Sequence, residues 1–66
     1  MDTFTISAVD PDNLEWERGT VATVHGTRGE ALARGCEAVL DGWIDVRVEG
    51  TFQGWNLTDE HGRRYA

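Results

Sequence analysis

The sequence predicts a small α+β domain in the order β-β-α-β-β, with one helix packed on one face of a mostly antiparallel sheet. Apolar residues alternate at period two in four segments, as in half-buried strands. One capped segment between the second and third strands has helical spacing. No linker, repeat or low-complexity stretch divides the 66 residues, so residues 1–66 are expected to form a single domain.

The first two strands are predicted over residues 3–9 and 14–24, where β-branched and aromatic residues alternate with polar ones. Residues 10–13 form the turn between them, because Pro11 presets the backbone for a turn and flanking aspartates accept backbone hydrogen bonds. Gly19 interrupts the second alternation and indicates a bulge or a break in that strand. A hairpin is the simplest pairing of the two.

The helix is predicted over residues 27–40. Thr27 and Glu30 have the spacing of a capping box, in which the threonine oxygen accepts from the glutamate backbone N–H. Gly42 follows the last helical residue and suits a left-handed stop. Gly35 is unfavourable inside a helix by about 1 kcal/mol relative to alanine. We expect it because the helix approaches the sheet closely there.

Two further strands are predicted over residues 43–49 and 52–58. Residues 59–62 form a turn that ends in glycine, and residues 63–66 either add a short edge strand or fray. Alternation divides the third strand between an inner and an outer face. The inner face takes Ile44, Val46 and Val48, and the outer face takes Trp43, Asp45, Arg47 and Glu49.

The predicted core combines the inner strand positions with the apolar stripe of the helix. It consists of Phe4, Ile6, Trp16, Val24, Leu32, Cys36, Val39, Leu40, Ile44, Val46, Val48, Trp55 and Leu57. This set places Cys36, the lone cysteine, inside the domain. A chain this short buries a small share of its surface. Its stability is therefore marginal unless a disulfide, a metal or oligomerisation adds to it.

The sequence lacks a set of residues suited to catalysis. The only thiol is Cys36, the only serine is Ser7, and His25 and His61 lie in predicted loops without a neighbouring nucleophile. Residues 10–13 begin like a calcium loop, but the later ligand positions do not match. We therefore expect a protein that is not an enzyme, with no catalytic residues, no metal site and no cofactor.

Charge and hydropathy restrict the partners. The formal net charge is −6, and all six basic residues are arginine. That balance opposes binding to a phosphate backbone and favours a partner with a basic surface. No apolar run approaches the roughly 20 residues that cross a bilayer, and the first residues do not have the pattern of a secretory signal. A cytoplasmic protein is expected, with no membrane contact.

The outer, open face of the sheet is the predicted binding site. Trp43 supplies a large apolar anchor ringed by charges, an arrangement typical of interface hot spots. The proposed partner-binding residues are Trp43, Asp45, Arg47, Glu49, Phe52 and Tyr65. The function expected is therefore a small acidic protein–protein interaction module, in its sharpest form an inhibitor or decoy that occupies a basic surface of its partner.

Two alternative functions and one alternative placement stay open at this point. Trp43 with Arg63 and Arg64 would serve a single-stranded nucleic-acid binder that stacks bases on sheet aromatics, although the acidic charge makes nucleic acid the less expected partner. A structural homodimer would supply the additional stability that the small core lacks. Trp43 would lose its role as an anchor if the C-terminal segment covers it.

Overall fold

The computed structural model describes residues 2–12 and 17–64, and it has the predicted α+β fold in the order β-β-α-β-β. The elements are β1 (Asp2–Val9), β2 (Arg18–Gly26), α1 (Arg28–Leu40), β3 (Ile44–Glu49) and β4 (Gly54–Asn56). The predicted strand residues Leu14 and Trp16 lie outside the described residues. Within the described ranges, no helix is long and apolar enough to cross a membrane.

The four strands form one open sheet in the order β2-β1-β3-β4, and all neighbours are antiparallel. The first strand is therefore an interior strand. Because β2 and β3 both run opposite to β1, they are parallel to each other, and α1 is the crossover that connects them. The helix contacts β1, β2 and β3 and covers one face of the sheet.

The core lies between α1 and the covered face of the sheet. Its buried members alternate along β1 and β3 and recur along the helix, and they are Phe4, Ile6, Ala8, Ala31, Ala38, Val46 and Val48. Trp55 of β4 packs at the edge of this cluster, with its ring centroid 6.3 Å from that of Phe4. The predicted strand residues of the core are thus confirmed for Phe4, Ile6, Val46 and Val48.

The helix presents a different side to the sheet from the one that the sequence predicts, because it is rotated about its own axis. The residues that face the sheet are Ala31, Gly35 and Ala38, whereas Cys36 and Leu40 are exposed. The predicted burial of Cys36 and Leu40 is therefore wrong. The reason is the close packing at Gly35, which allows the smallest residues of the helix to approach the sheet most closely. Larger side chains such as Leu32 and Val39 flank this contact and are half-buried.

Close approach at Gly35 is confirmed by the distances around it. A Cβ atom placed on Gly35 would lie 2.6 Å from Leu57 Cδ1 and 2.8 Å from Val48 Cγ2. Both distances are far below ordinary van der Waals contact, which begins near about 3.5 Å. The helix therefore needs a residue without a side chain at this position.

The glycine stop at the C-terminal end of the helix and the threonine half of the predicted capping box are both present. Thr27 Oγ1 accepts a hydrogen bond of 3.2 Å from the Glu30 backbone N–H. At the other end Gly42 has a φ of 99°, and its N–H donates to the Val39 carbonyl at 3.1 Å. The N–H of Trp43 donates to the Ala38 carbonyl at 3.1 Å. The two C-terminal bonds together form a Schellman motif.

The predicted interruption of the second strand is present but lies at a different residue. Ile6 pairs with Ala22 and Ser7 pairs with Thr20, so Val21 is the extra residue of a β-bulge. Gly19 pairs regularly with Ala8. The bulge keeps Ala22 and Val24 on the covered face, where both pack against the core.

The C-terminal segment is held by backbone and side-chain hydrogen bonds, and the structure describes no fifth strand up to Arg64. The Leu57 N–H donates to the Val46 carbonyl, and the Asp45 N–H donates to the Asp59 carbonyl, both at 2.8 Å. Residues 65 and 66, which belong to the predicted edge strand, lie outside the described residues.

Buried Thr58 accepts through Oγ1 from the Val46 N–H at 2.9 Å. Thr58 also forms an isolated antiparallel bridge with Arg64, the last described residue. Asp59 closes the following turn, because its Oδ1 accepts from the N–H groups of His61 at 2.9 Å and Arg63 at 2.8 Å.

The turn at Asp59 is expected to open in acid. Partial burial raises the pKa of Asp59, but hydrogen bonds from the Arg63 and His61 backbones and from the Arg63 guanidinium outweigh it and lower that pKa overall. A lowered folded-state pKa gives stability that is present above the unfolded pKa and is lost as the pH falls through the folded value. We expect the His61 and Arg63 amide resonances to shift in acid with a midpoint below the ordinary pKa of aspartate.

An NMR titration of these amides measures the transition. Asp59→Asn is the control, because it keeps an oxygen acceptor but has no titrating carboxylate, so its turn resonances should stay constant over the same range. A midpoint at or above the ordinary aspartate range would contradict the prediction.

Candidate partner-binding surface

The residues predicted to form one site on the open face are distributed over three places. Asp45, Arg47 and Glu49 lie along β3, and Phe52 lies in the turn between β3 and β4. Trp43 precedes β3 and packs against the core cluster on the covered side of the sheet. Tyr65 lies outside the described residues. The predicted placement of Trp43 on the open face is therefore corrected.

The backbone at Asp45 explains this correction. Asp45 has a φ of 50°, in the left-handed region, and the register between β1 and β3 shifts there: Ser7 pairs with Arg47, but Val9 pairs with Ile44. A bulge of this kind reverses which side the residues before it occupy. Ile44, predicted for the core, is accordingly absent from the core cluster and approaches the turn at Gly62 instead.

The Schellman motif gives a second reason for the position of Trp43. In this motif the residue after the left-handed glycine makes an apolar contact back to the last turn of the helix. Trp43 occupies that position, and its backbone N–H is bound to the Ala38 carbonyl at 3.1 Å. The tryptophan is thus tied to the end of α1 before β3 begins.

The open face is mostly polar. By register and alternation it carries hydroxyl side chains of β1 and β2 beside the charged residues of β3. It comprises Thr3, Thr5, Ser7, Val9, Arg18, Thr20, Thr23, His25, Asp45, Arg47 and Glu49, of which Val9 is the buried apolar member. Among the described residues no tryptophan, tyrosine or phenylalanine belongs to this face by register and alternation. The nucleic-acid alternative stays a prediction.

The charges on the open face are bound to one another. Arg18 forms an ion pair with Asp45 through Nη2, and its Nη1 donates to Ser7 Oγ at 3.0 Å. Arg47 Nε lies 3.6 Å from Asp45 Oδ1 and is buried without a hydrogen-bond partner among the described residues. Asp45 therefore bridges two arginines at the left-handed residue. One carboxylate balances only one of the two guanidinium charges, so this cluster at the bulge keeps an excess of positive charge.

Trp43 instead lines a groove with acidic walls, which we call the acidic groove. The groove has a volume of about 450 Å³ and is lined by Asp10, Pro11, Asp12, Asp41, Gly42 and Trp43. It joins the β1–β2 turn to the end of the helix. Asp10 Oδ1 accepts from the Asp12 N–H at 2.9 Å, which fixes the turn as the sequence predicts. Trp43 thus shares a groove with acids other than Asp45 and Glu49, which the sequence predicted as its neighbours.

Sequence reasoning missed these three acids as neighbours of Trp43. The signal was present in part, because Asp41 and Gly42 directly precede the tryptophan and Gly42 was expected to end the helix. The other two acids lie more than 30 residues earlier in the chain. Only the antiparallel pairing of β1 with β3, which sets Val9 opposite Ile44, brings their turn beside Trp43.

Phe52 is a second exposed aromatic residue, at the opposite end of β3. Its residue surface is 94% exposed, and it lies in the turn that joins β3 to β4. A shallow groove of about 290 Å³ beside it is also lined by Asp2 and Arg28. The six residues of β3 span about 20 Å, which separates Phe52 from Trp43 along the sheet.

No family model, curated protein or solved structure matches the chain. The geometry of the molecule is therefore the basis for its functional assignment.

Proposed function

We propose that the protein is a non-enzymatic protein-binding module that receives a basic segment of its partner in the acidic groove. The observation that carries this proposal is that Trp43 lines one groove together with three aspartates, Asp10, Asp12 and Asp41. Among the residues that line the groove there is no cation. A basic side chain would therefore find an aromatic wall and acidic acceptors in one place.

The chemistry of the groove favours arginine over lysine. A guanidinium group can stack on an indole face and donate paired hydrogen bonds to a carboxylate at the same time. The contact between a cation and an aromatic ring contributes about 0.5–1 kcal/mol at an exposed site. Trp43 is half-buried and held by the helix cap, so little ordering of the ring is required on binding.

The net charge supports the same kind of partner. A formal charge of −6 on 66 residues attracts basic surfaces over a distance of about 10 Å at moderate salt. An inhibitor or decoy would use this field to cover a basic site on its partner. The proposal places the module in the cytoplasm, where a lone exposed cysteine remains reduced.

Binding of a labelled arginine-rich peptide, followed by fluorescence anisotropy at low and physiological salt, tests the proposal. The variant Asp12→Asn/Asp41→Asn removes two exposed carboxylates of the groove. We expect it to weaken binding at least about ten-fold, the equivalent of about 1.4 kcal/mol. Higher salt should weaken binding of the wild type.

The matched control is Asp2→Asn/Glu49→Gln, which removes the same number of negative charges from exposed residues outside the groove. It should weaken peptide binding less than about two-fold. Equal losses in both variants would show that only net charge matters and would reject the groove as the site. Failure of the wild-type protein to bind any basic peptide would reject the proposed function.

A further inference from the structure

The helix α1 carries more apolar surface than the sheet covers. Its buried residues are Ala31, Gly35 and Ala38, but Cys36 and Leu40 on the neighbouring side are exposed, and Leu40 is 76% exposed. At about 100° per residue, the uncharged residues from Ala31 onward occupy roughly 220° of the helix circumference. A helix that packs on a single layer needs an apolar stripe of about 100° or somewhat more.

The uncovered part is a continuous strip that we call the exposed helix stripe, defined by Ala33, Cys36 and Leu40. These residues follow one another at helical spacing and are all exposed. Beside the stripe lies a groove of about 430 Å³ between the helix and the C-terminal segment. It is lined by Cys36, Val39, Leu40, Leu57 and Arg64. Among the described residues, neither the stripe nor the lining of this groove contains a carboxylate.

We propose that the exposed helix stripe is the contact surface for a second copy of this chain. The two α1 helices would pack side by side across a two-fold axis that runs along them and passes near Cys36. In such an isologous interface each residue near the axis meets its own counterpart. The proposal concerns a different surface from the acidic groove and does not rest on the binding of a basic segment.

The exposed helix stripe is a place where charge permits a second copy to bind. The chain has a formal charge of −6, so most pairs of its faces would bring carboxylates together. The exposed helix stripe is free of that repulsion because its three members are uncharged. Two copies can therefore approach closely here, and the charges at the rim decide how they are oriented.

The rim of the groove is complementary to the helix end of a second copy. The last turn of α1 has no basic residue, although Glu37 and the negative end of the helix dipole lie there. Arg64 lines the groove and has no ion-pair partner among the described residues. Glu37 Oε2 lies 3.5 Å from Arg34 Nη1 of its own helix, and its side chain is 68% exposed. A two-fold axis along the helices would direct Arg64 of each copy toward the Glu37 side of its partner's helix, which adds a cation beside that carboxylate and the helix end.

The mass in solution tests the proposal, measured by light scattering behind a sizing column at two protein concentrations. We expect the wild type to be a dimer that dissociates on dilution. Leu40→Glu places a charge on the stripe at an exposed position and should give a monomer at both concentrations. Ala33→Glu, also exposed, should have the same effect and provides a second variant if either one folds poorly.

Phe52→Glu is the matched control, because it replaces the other large exposed apolar residue with the same charge at the far end of β3. It should remain a dimer. Mild oxidation should also join two chains through Cys36 in the wild type, and Leu40→Glu should abolish most of that cross-link. A wild type that is monomeric up to millimolar concentration, or a dimer that survives Leu40→Glu and Ala33→Glu, would overturn the proposal.

Discussion

Replacing Gly35 with alanine is expected to destabilise the protein by about 1–3 kcal/mol, even though alanine is the better helix former by about 1 kcal/mol. The new Cβ would lie 2.6 Å from Leu57 Cδ1 and 2.8 Å from Val48 Cγ2. Leu57 is half-buried and can change its rotamer. Val48 is fully buried and β-branched, so it cannot move away without disturbing the sheet.

Thermal or urea unfolding measures this effect, since about 1 kcal/mol shifts the midpoint temperature of a small domain by about 4–8 °C. Gly29→Ala in the same helix is the control. Its Cβ would meet only Thr27 Oγ1, at an ordinary distance of 3.8 Å, so the propensity gain should raise stability by up to about 1 kcal/mol. If the two variants were equally stable, the close contact between α1 and the sheet would be refuted.

Replacing Thr58 with valine is expected to cost about 1–3 kcal/mol, although the two side chains have nearly the same shape. Thr58 is fully buried, and its Oγ1 accepts from the backbone N–H of Val46 at 2.9 Å. Valine would fill the same space but leave that buried N–H without an acceptor. The cost therefore comes from a lost hydrogen bond rather than from packing.

Thr58→Ser separates the two contributions, because serine keeps the hydroxyl and removes only a methyl group. We expect the serine variant to retain slow hydrogen exchange at the Val46 amide and the valine variant to lose it, in addition to its lower unfolding midpoint. Equal protection of that amide in both variants would show that the hydroxyl is not its essential acceptor.

Local patterns were sufficient to predict the elements of this fold. Period-two alternation located the strands around Phe4, Ile6, Val46 and Val48, and the threonine cap located the start of the helix. These signals arise from residues close together in the chain. The rotation of α1 about its axis cannot be predicted from such local patterns. It depends on the contacts of Gly35 with Val48 and Leu57, which lie far from it in the sequence. Ranking helix residues by hydrophobicity alone favoured Cys36 and Leu40.

The candidate site was predicted less well, for a reason that can be traced to one residue. Strict alternation assigned Trp43 and Asp45 to one face, but Asp45 adopts a left-handed backbone and reverses the phase before it. Aspartate tolerates that conformation better than most residues, yet its presence does not require it. The Gly42-Trp43 pair after a helix was the available signal, since it is typical of a Schellman motif with an apolar contact to the helix.

The interior position of β1 has a consequence for the order in which the chain can fold. A growing polypeptide completes the β1–β2 hairpin first, but an isolated hairpin is marginal in water. Phe4 and Ile6 become buried only when α1 and β3 have been synthesised, because these elements supply their packing partners. The second edge of β1 is also paired only then, since Thr5 pairs with Glu49. The chain between β1 and β3 must lose conformational entropy before the contacts between these strands form, and this requirement slows folding. Until Glu49 is synthesised, β1 keeps an open edge on which unwanted association can begin.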